Sequence, residues 1–213
     1  MRLDMKAFLL KLFGLTYSMS EYKSQVASAE WYLLDGKPKF ALAISKRLAR
    51  SNPSDPRTWR IMGQALFALQ KKRKALKVAK QALEKGPNDV DSLCLAGRVE
   101  IACGEALGSS HYTAAQEYFE KALKVDACNA AVLLGFGNSH AGLHNFRKAI
   151  EYYDRALATK PDDPTTLSMI LFSKAMALYD LGSRDDGIRL HREIIAANPE
   201  NVLFRQCLDR MLT

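Results

Sequence analysis

His140 and His144, in the stretch SHAGLH, stand four residues apart, the spacing at which two imidazoles on one helix can share a metal ion. No third ligand stands at a fixed spacing from them, and Gly142 marks a turn at His144. The pair therefore reads as a groove-side polar residue followed by a turn residue. His111 falls in a Gly/Ser-rich stretch and His191 in a helical pattern, and neither has a Cys, Ser or carboxylate at a spacing that suggests a triad. Gly104 and Gly108 lack the Lys-Ser/Thr or strand context of a phosphate loop. The cysteines at 94, 103, 128 and 207 show no C-x-x-C spacing and read as free thiols of a reducing compartment. These residues point to no cofactor, no metal site and no enzyme activity.

A different chemistry is concentrated in QKKRKALKVAKQ, where Lys71, Lys72, Arg73, Lys74, Lys77 and Lys80 form a basic patch. Such a run suits an acidic protein, a nucleic acid or lipid headgroups, or is simply a solvated outer face, the preferred reading. It also looks like a nuclear-import patch. Nucleic acid has no further support, because aromatics are not interleaved with the basic residues as stacking platforms. The formal net charge of +8 is uneven: residues 56–89 hold nine Lys/Arg against two Asp/Glu. With 48% apolar and 25% charged residues the chain is expected to fold as a cytoplasmic protein, and no apolar run reaches the roughly 18–20 residues that span a bilayer.

The elements that position these residues are clearest from Trp59 to Pro87. Trp59, Met62, Gly63 and Leu66 share one helical stripe, and Ala75, Ala79 and Ala82 share another, stopped by Pro87. Bulky and tiny residues facing alanines describe two antiparallel helices in close contact. Shifting the frame by one unit finds the pattern again, as a solenoid requires. It resembles the tetratricopeptide repeat, a helix-turn-helix unit of about 34 residues.

In that frame five repeats cover 22–55, 56–89, 90–129, 130–163 and 164–201. Ala29, Gly63, Gly97, Gly137 and Ala175 take the small position of the first helix. Ala41, Ala75, Ala115 and Ala149 open the second-helix stripe, with Gly187 where an alanine is usual. Pro53, Pro87, Pro161 and Pro199 close four of the five, and Ala127 replaces the fifth. The surplus of the third repeat is expected as an enlarged loop over Gly104–Tyr112. The surplus of the fifth is about one helical turn.

Residues 1–21 form an apolar or amphipathic helix in this reading, with Asp4, Lys11 and Ser18 on a narrow polar stripe. It caps the array, fills a groove or, less favoured, touches a membrane surface. Asp4 and Lys11 interrupt any secretory signal. Val202, Phe204, Cys207, Leu208 and Met211 give 202–213 the spacing of a C-terminal capping helix. The resemblance implies an all-α, right-handed α-solenoid of about five repeats between capping helices, its first helices lining a concave face.

The expected partner is a protein or peptide, acidic or amphipathic, held in that face. Its candidate residues are Arg57, Arg60, Gln64, Phe67, Cys94, Arg98, Ile101, Leu134, Asn138, Met169 and Phe172. Family members that grip acidic chaperone C-termini use Lys, Asn and Arg at set positions. Cys94, Gly135 and Met169 stand at some of those places, so that clamp is not reproduced. A non-enzymatic scaffold or chaperone-like adaptor for complex assembly is the leading expectation. The alternatives are a self-assembling structural protein whose N-terminal helix docks in a neighbour's groove, giving a homo-oligomer through residues 1–21, and a basic accessory protein on an anionic surface or nucleic acid.

Overall fold

The computed structural model describes residues 17–197 and 199–212. Eleven helices are found among them: α1 (Met19–Leu34), α2 (Pro38–Ser51), α3 (Pro56–Ala68), α4 (Lys72–Lys85), α5 (Val90–Leu107), α6 (Ser110–Val125), α7 (Ala130–Gly142), α8 (Phe146–Ala158), α9 (Pro164–Leu181), α10 (Arg184–Ala197) and α11 (Val202–Leu212). The fold is all-α, built of consecutive packed helix pairs as in an α-solenoid. Two compact units divide it, one ending at Val99 and the other beginning at Glu100.

Local chemistry sets where the helices start and turn. The first helix of each pair opens on a side-chain cap: Ser18 accepts from the Glu21 amide, Asp55 from Arg57, Asp89 from Ser92, Asn129 from Val132 and Asp163 from Thr165 and Thr166. Pro56 and Pro164 sit at first helical positions, where their missing N–H costs nothing. Each turn inside a pair passes through one left-handed residue: Gly36, Gln70, Gly108, His144 and Gly182. The second helices α2, α4 and α8 have no side-chain cap and are held mainly by burying one face.

In the first unit Tyr22, Val26, Ala29, Leu48 and Ile61 form a core. The Tyr22 hydroxyl lies 2.6 Å from Thr58 Oγ1 and donates to Asp55 at 3.0 Å, tying α1 to the start of α3. In the second unit Leu133, Leu134, Ala149, Tyr153, Ala156, Ile170 and Ala177 do the same work. Ala41, Ala75, Ala79, Ala82, Ala115, Ala122, Ala149 and Ala156 are all fully buried, and on α6 and α8 the middle of the stripe is filled by Phe119 and Tyr153, which pack against Gly135 and Gly137. First helices also meet one another, α1 with α3 and α7 with α9.

Two expectations change. The stretch Gly104–Tyr112 is mostly helix: α5 continues to Leu107 and α6 begins at Ser110, leaving only Gly108 and Ser109 between them. The extra residues extend the helices because Gly104 packs against the Tyr112 ring, where a Cβ would lie 3.0 Å away. Ser18 is not on the flank of an N-terminal helix. It is an extended residue in a capping box with Glu21, and α1 starts behind it. Residues 19–21 belong to α1, and residues 1–16 of the expected helix lie outside the described residues.

Candidate functional site

Helical spacing brings Glu30, Leu33 and Leu34 of α1, Arg60, Gln64 and Phe67 of α3, and Leu95 and Arg98 of α5 around a groove of about 710 Å³ in the first unit. Arg60 crosses its floor. Nη2 donates to Glu30 at 3.0 Å and Nη1 lies 3.4 Å from Asp91, while its side chain keeps only 14% exposure. Its charge is thereby committed to two neighbouring helices. Arg98 differs: it is exposed, its guanidinium sits 5.9 Å from the Phe67 ring centroid, and no carboxylate among the described residues is within ion-pair distance. An apolar wall with one uncommitted guanidinium suits an acidic group on an otherwise apolar segment.

The remaining expected groove residues are spread differently. Arg57 lies at the start of α3, locked onto its own cap by Nε to Asp55 Oδ1 (3.2 Å) and Nη2 to Oδ2 (2.9 Å). Burial opposes ionisation of Asp55, but hydrogen bonds from Arg57 and Tyr22 outweigh it and hold the carboxyl below the usual range. Cys94 is buried, and burial pushes its thiol up to about 11, so it is an inert packing residue. Leu134 belongs to the second unit's core, and Met169 is exposed on α9 away from that unit's cavity.

Ile101, Asn138 and Phe172 line a smaller cavity of about 270 Å³ in the second unit, beside Tyr153, Ser173 and Asp180. The Tyr153 hydroxyl donates to Asn138 Oδ1 at 2.8 Å. Burial raises the Tyr153 pKa far above its ordinary value, so it stays a donor throughout the neutral range. Seven of the eleven residues expected to line the face thus fall into two cavities, one in each unit, and Arg57, Cys94, Leu134 and Met169 line neither.

The basic residues lie on α4 and the turn before it. Lys71, Arg73, Lys74, Lys77 and Lys80 are exposed and Lys72 is half-buried. His140 is buried, stacked on Phe136 and Tyr152, with Nδ1 3.1 Å from Gln116 Nε2. His144 is the left-handed turn residue of its pair. His191 is buried between Phe172 and Phe204 and lies 2.7 Å from the Phe204 carbonyl, fastening α11 to α10. Among the described residues no three His, Cys, Asp or Glu side chains converge as a metal site.

Three features are not visible in the sequence pattern. His111 Nδ1 lies 2.6 Å from the buried carboxylate of Glu100, a contact hidden because residue type places His111 in a loop rather than in the first turn of α6. The Glu30–Arg60–Asp91 chain joins residues about 30 apart, which only the repeat period could have aligned. Trp31, Tyr32 and Phe40 form an aromatic cluster at the first turn, with ring centroids 5.0 and 5.3 Å apart.

Residues 56–99 and residues 105–164 each match a family model described as tetratricopeptide repeat. The chain belongs to the tetratricopeptide repeat family. A thermophilic tetratricopeptide repeat protein of Thermus thermophilus superposes with a TM-score of 0.78 at 18% identity, covering 90% of this chain and 98% of that one. The DnaJ homolog subfamily C member 7 homolog of Schizosaccharomyces pombe is 27% identical over 75% of this chain and 36% of its own length. Tetratricopeptide repeat protein 21B of Xenopus laevis is 32% identical over 70% of this chain and 11% of its own. The chain thus spans about a third or less of these two relatives. Tetratricopeptide repeats build protein-interaction scaffolds, and the groove formed by α1, α3 and α5 is made of their first helices.

Proposed function

We propose that this tetratricopeptide repeat chain is a non-enzymatic, cytoplasmic scaffold or adaptor that captures an amphipathic segment of a partner protein in the first unit's groove. The observation that supports this is Arg98: an exposed guanidinium over Phe67, beside Leu33 and Leu34, with no internal carboxylate among the described residues to neutralise it. An acidic side chain on the segment pairs with Arg98 while its apolar neighbours cover the wall. A hydrogen bond to such a charge contributes about 1.5–3 kcal/mol once water is excluded, roughly ten- to a hundredfold in affinity. Arg60 organises the floor by holding Glu30 and Asp91, so its loss damages the groove itself rather than one contact.

The test is site-specific photocrosslinking in cells of the source organism, with the reactive residue at Gln64 in the groove or at Lys80 on α4. The crosslinked peptide is then synthesised and titrated against the full chain. Crosslinks from position 64, and affinity about tenfold weaker or more in Arg98→Ala, are expected. Crosslinks confined to position 80, or an affinity indifferent to Arg98→Ala, overturn the assignment.

A further inference from the structure

The edge of the first unit formed by its two helix-pair turns has a composition that a peptide groove does not need. At the turn between α1 and α2, Trp31, Leu34 and Phe40 are 54%, 88% and 59% exposed. What distinguishes them is that they stand together at one turn, since large apolar side chains are seldom left clustered in water. Tyr32 stacks on Phe40 and meets Trp31 edge to face, joining the two rings in one cluster. Lys37 lies 5.8 Å from the Trp31 ring centroid while paired with Asp35, and Lys39 is exposed close by.

The turn between α3 and α4 lies on the same edge, because Leu34 and Gln70 line one groove. It supplies Lys71, Arg73 and Lys74, all exposed. Acidic compensation is scarce: α2 contains no Asp or Glu, and α4 contains only Glu84, near its far end. We propose that this edge docks on an anionic phospholipid membrane, with Trp31, Leu34 and Phe40 entering the headgroup layer and the lysines and arginine resting on lipid phosphates.

Charge complementarity fixes the sign of the partner, and the protruding side chains fix its kind. A nucleic acid would use the lysines and stack on the aromatics, but gives no gain for burying a leucine as exposed as Leu34. A bilayer interface uses all of them, since Trp and Phe partition to the headgroup level beside Lys and Arg. The docking proposed for this edge is peripheral, and no helix among the described residues is long and apolar enough to cross a membrane. Leu34 also lines the groove, so the membrane and a bound segment share that one side chain, while Trp31, Phe40 and the basic residues belong to the edge alone.

The test uses the full chain carrying Trp59→Phe, so that Trp31 is the sole indole. Vesicles of phosphatidylcholine alone are compared with vesicles containing about 30% phosphatidylserine, the kind of surface that attracts basic clusters. Anionic vesicles are expected to shift Trp31 emission to the blue and allow its quenching by brominated lipid, while neutral vesicles do neither. Lys71→Gln with Arg73→Gln and Lys74→Gln should weaken cosedimentation roughly a hundredfold. Trp31→Ala with Phe40→Ala should weaken it as a separate set, with unchanged circular dichroism in both. No partition, partition equal on neutral vesicles, or partition that survives both sets and disappears only on deleting residues 1–16 overturns the proposal. So does self-association that the Trp31/Phe40 pair of substitutions abolishes without lipid, which assigns the edge to a second copy.

Discussion

Gly187→Ala puts the packing argument to its sharpest test. Ala41, Ala75, Ala115 and Ala149 occupy the equivalent place in the other second helices and are fully buried. By that pattern, and by helix propensity, alanine at 187 should stabilise by about 1 kcal/mol. The packing predicts the opposite. A Cβ on Gly187 would lie 2.7 Å from the Ala175 carbonyl oxygen, 2.9 Å from the Tyr179 nitrogen and 3.1 Å from Tyr179 Cβ. The two nearest are backbone atoms of α9 with no rotamer to relieve them, so α10 must move outward. Overpacking of this kind costs about 1–3 kcal/mol, and a backbone clash belongs at the upper end. After the propensity gain the net loss is about 1–2 kcal/mol, or roughly 2–8 °C in melting temperature for a chain of this size. Thermal melts of the full chain followed by circular dichroism read it directly. Gly63→Ala is the control, because its first contact at 2.8 Å is Leu95 Cδ2, the mobile end of a side chain. A rise in melting temperature for Gly187→Ala, or an equal drop at Gly63, refutes the reasoning.

Two further outcomes are expected. Ser18→Ala removes one half of the capping box at the start of α1 and should cost about 0.5–2 kcal/mol, measured by denaturant unfolding; Ser20→Ala, which leaves the box intact, should cost much less. Burial, with Lys148 adding to it, holds the His140 imidazole below the usual histidine range. Its folded-state pKa is depressed, so its contribution is present above the unfolded value of about 6.5 and is lost as pH falls through the folded one. His140→Gln should therefore flatten the decline of stability between neutral and mildly acid pH, and an unchanged slope shows that the ring contributes nothing to it.

How far the fold is legible in the sequence depends on whether the information is periodic. Gly63 against Ala75 and Ala79, or Gly137 under the Tyr153 ring, are contacts that a small residue and a stripe announce. In the surplus of the third repeat residue type misleads, because Gly and Ser favour loops. Gly104 is instead a helix residue making room for Tyr112, and Gly108 alone is held in the left-handed turn at φ +112. Its open surroundings would accept a methyl group, but that backbone angle would not. The groove is legible in outline, since Arg60, Gln64, Phe67 and Arg98 do meet around one cavity. Which arginine is uncommitted is not legible. That depends on Glu30 and Asp91 reaching Arg60 across three helices, and no local pattern marks such a contact.

The same period, applied to charge rather than size, separates the two units. Lys46, Lys80, Glu120 and Asp154 occupy equivalent places on α2, α4, α6 and α8, and all four are exposed. On α6, Glu117 and Lys121, and Glu120 and Lys124, stand four residues apart with the acid first, the arrangement that supports a solvated helix. On α8, Glu151 and Arg155 repeat it. The second unit therefore keeps an outer face that water alone suffices to solvate. On α2 and the first turns of α4 the acids are missing, so neighbouring cations repel one another and the helices lose that support. Solubility does not ask for this, because mixed charge serves it in the second unit on the same scaffold. A face that gives up intrahelical pairing and borders exposed Trp31 and Phe40 has the charge and the apolar rim that the proposed anionic membrane requires.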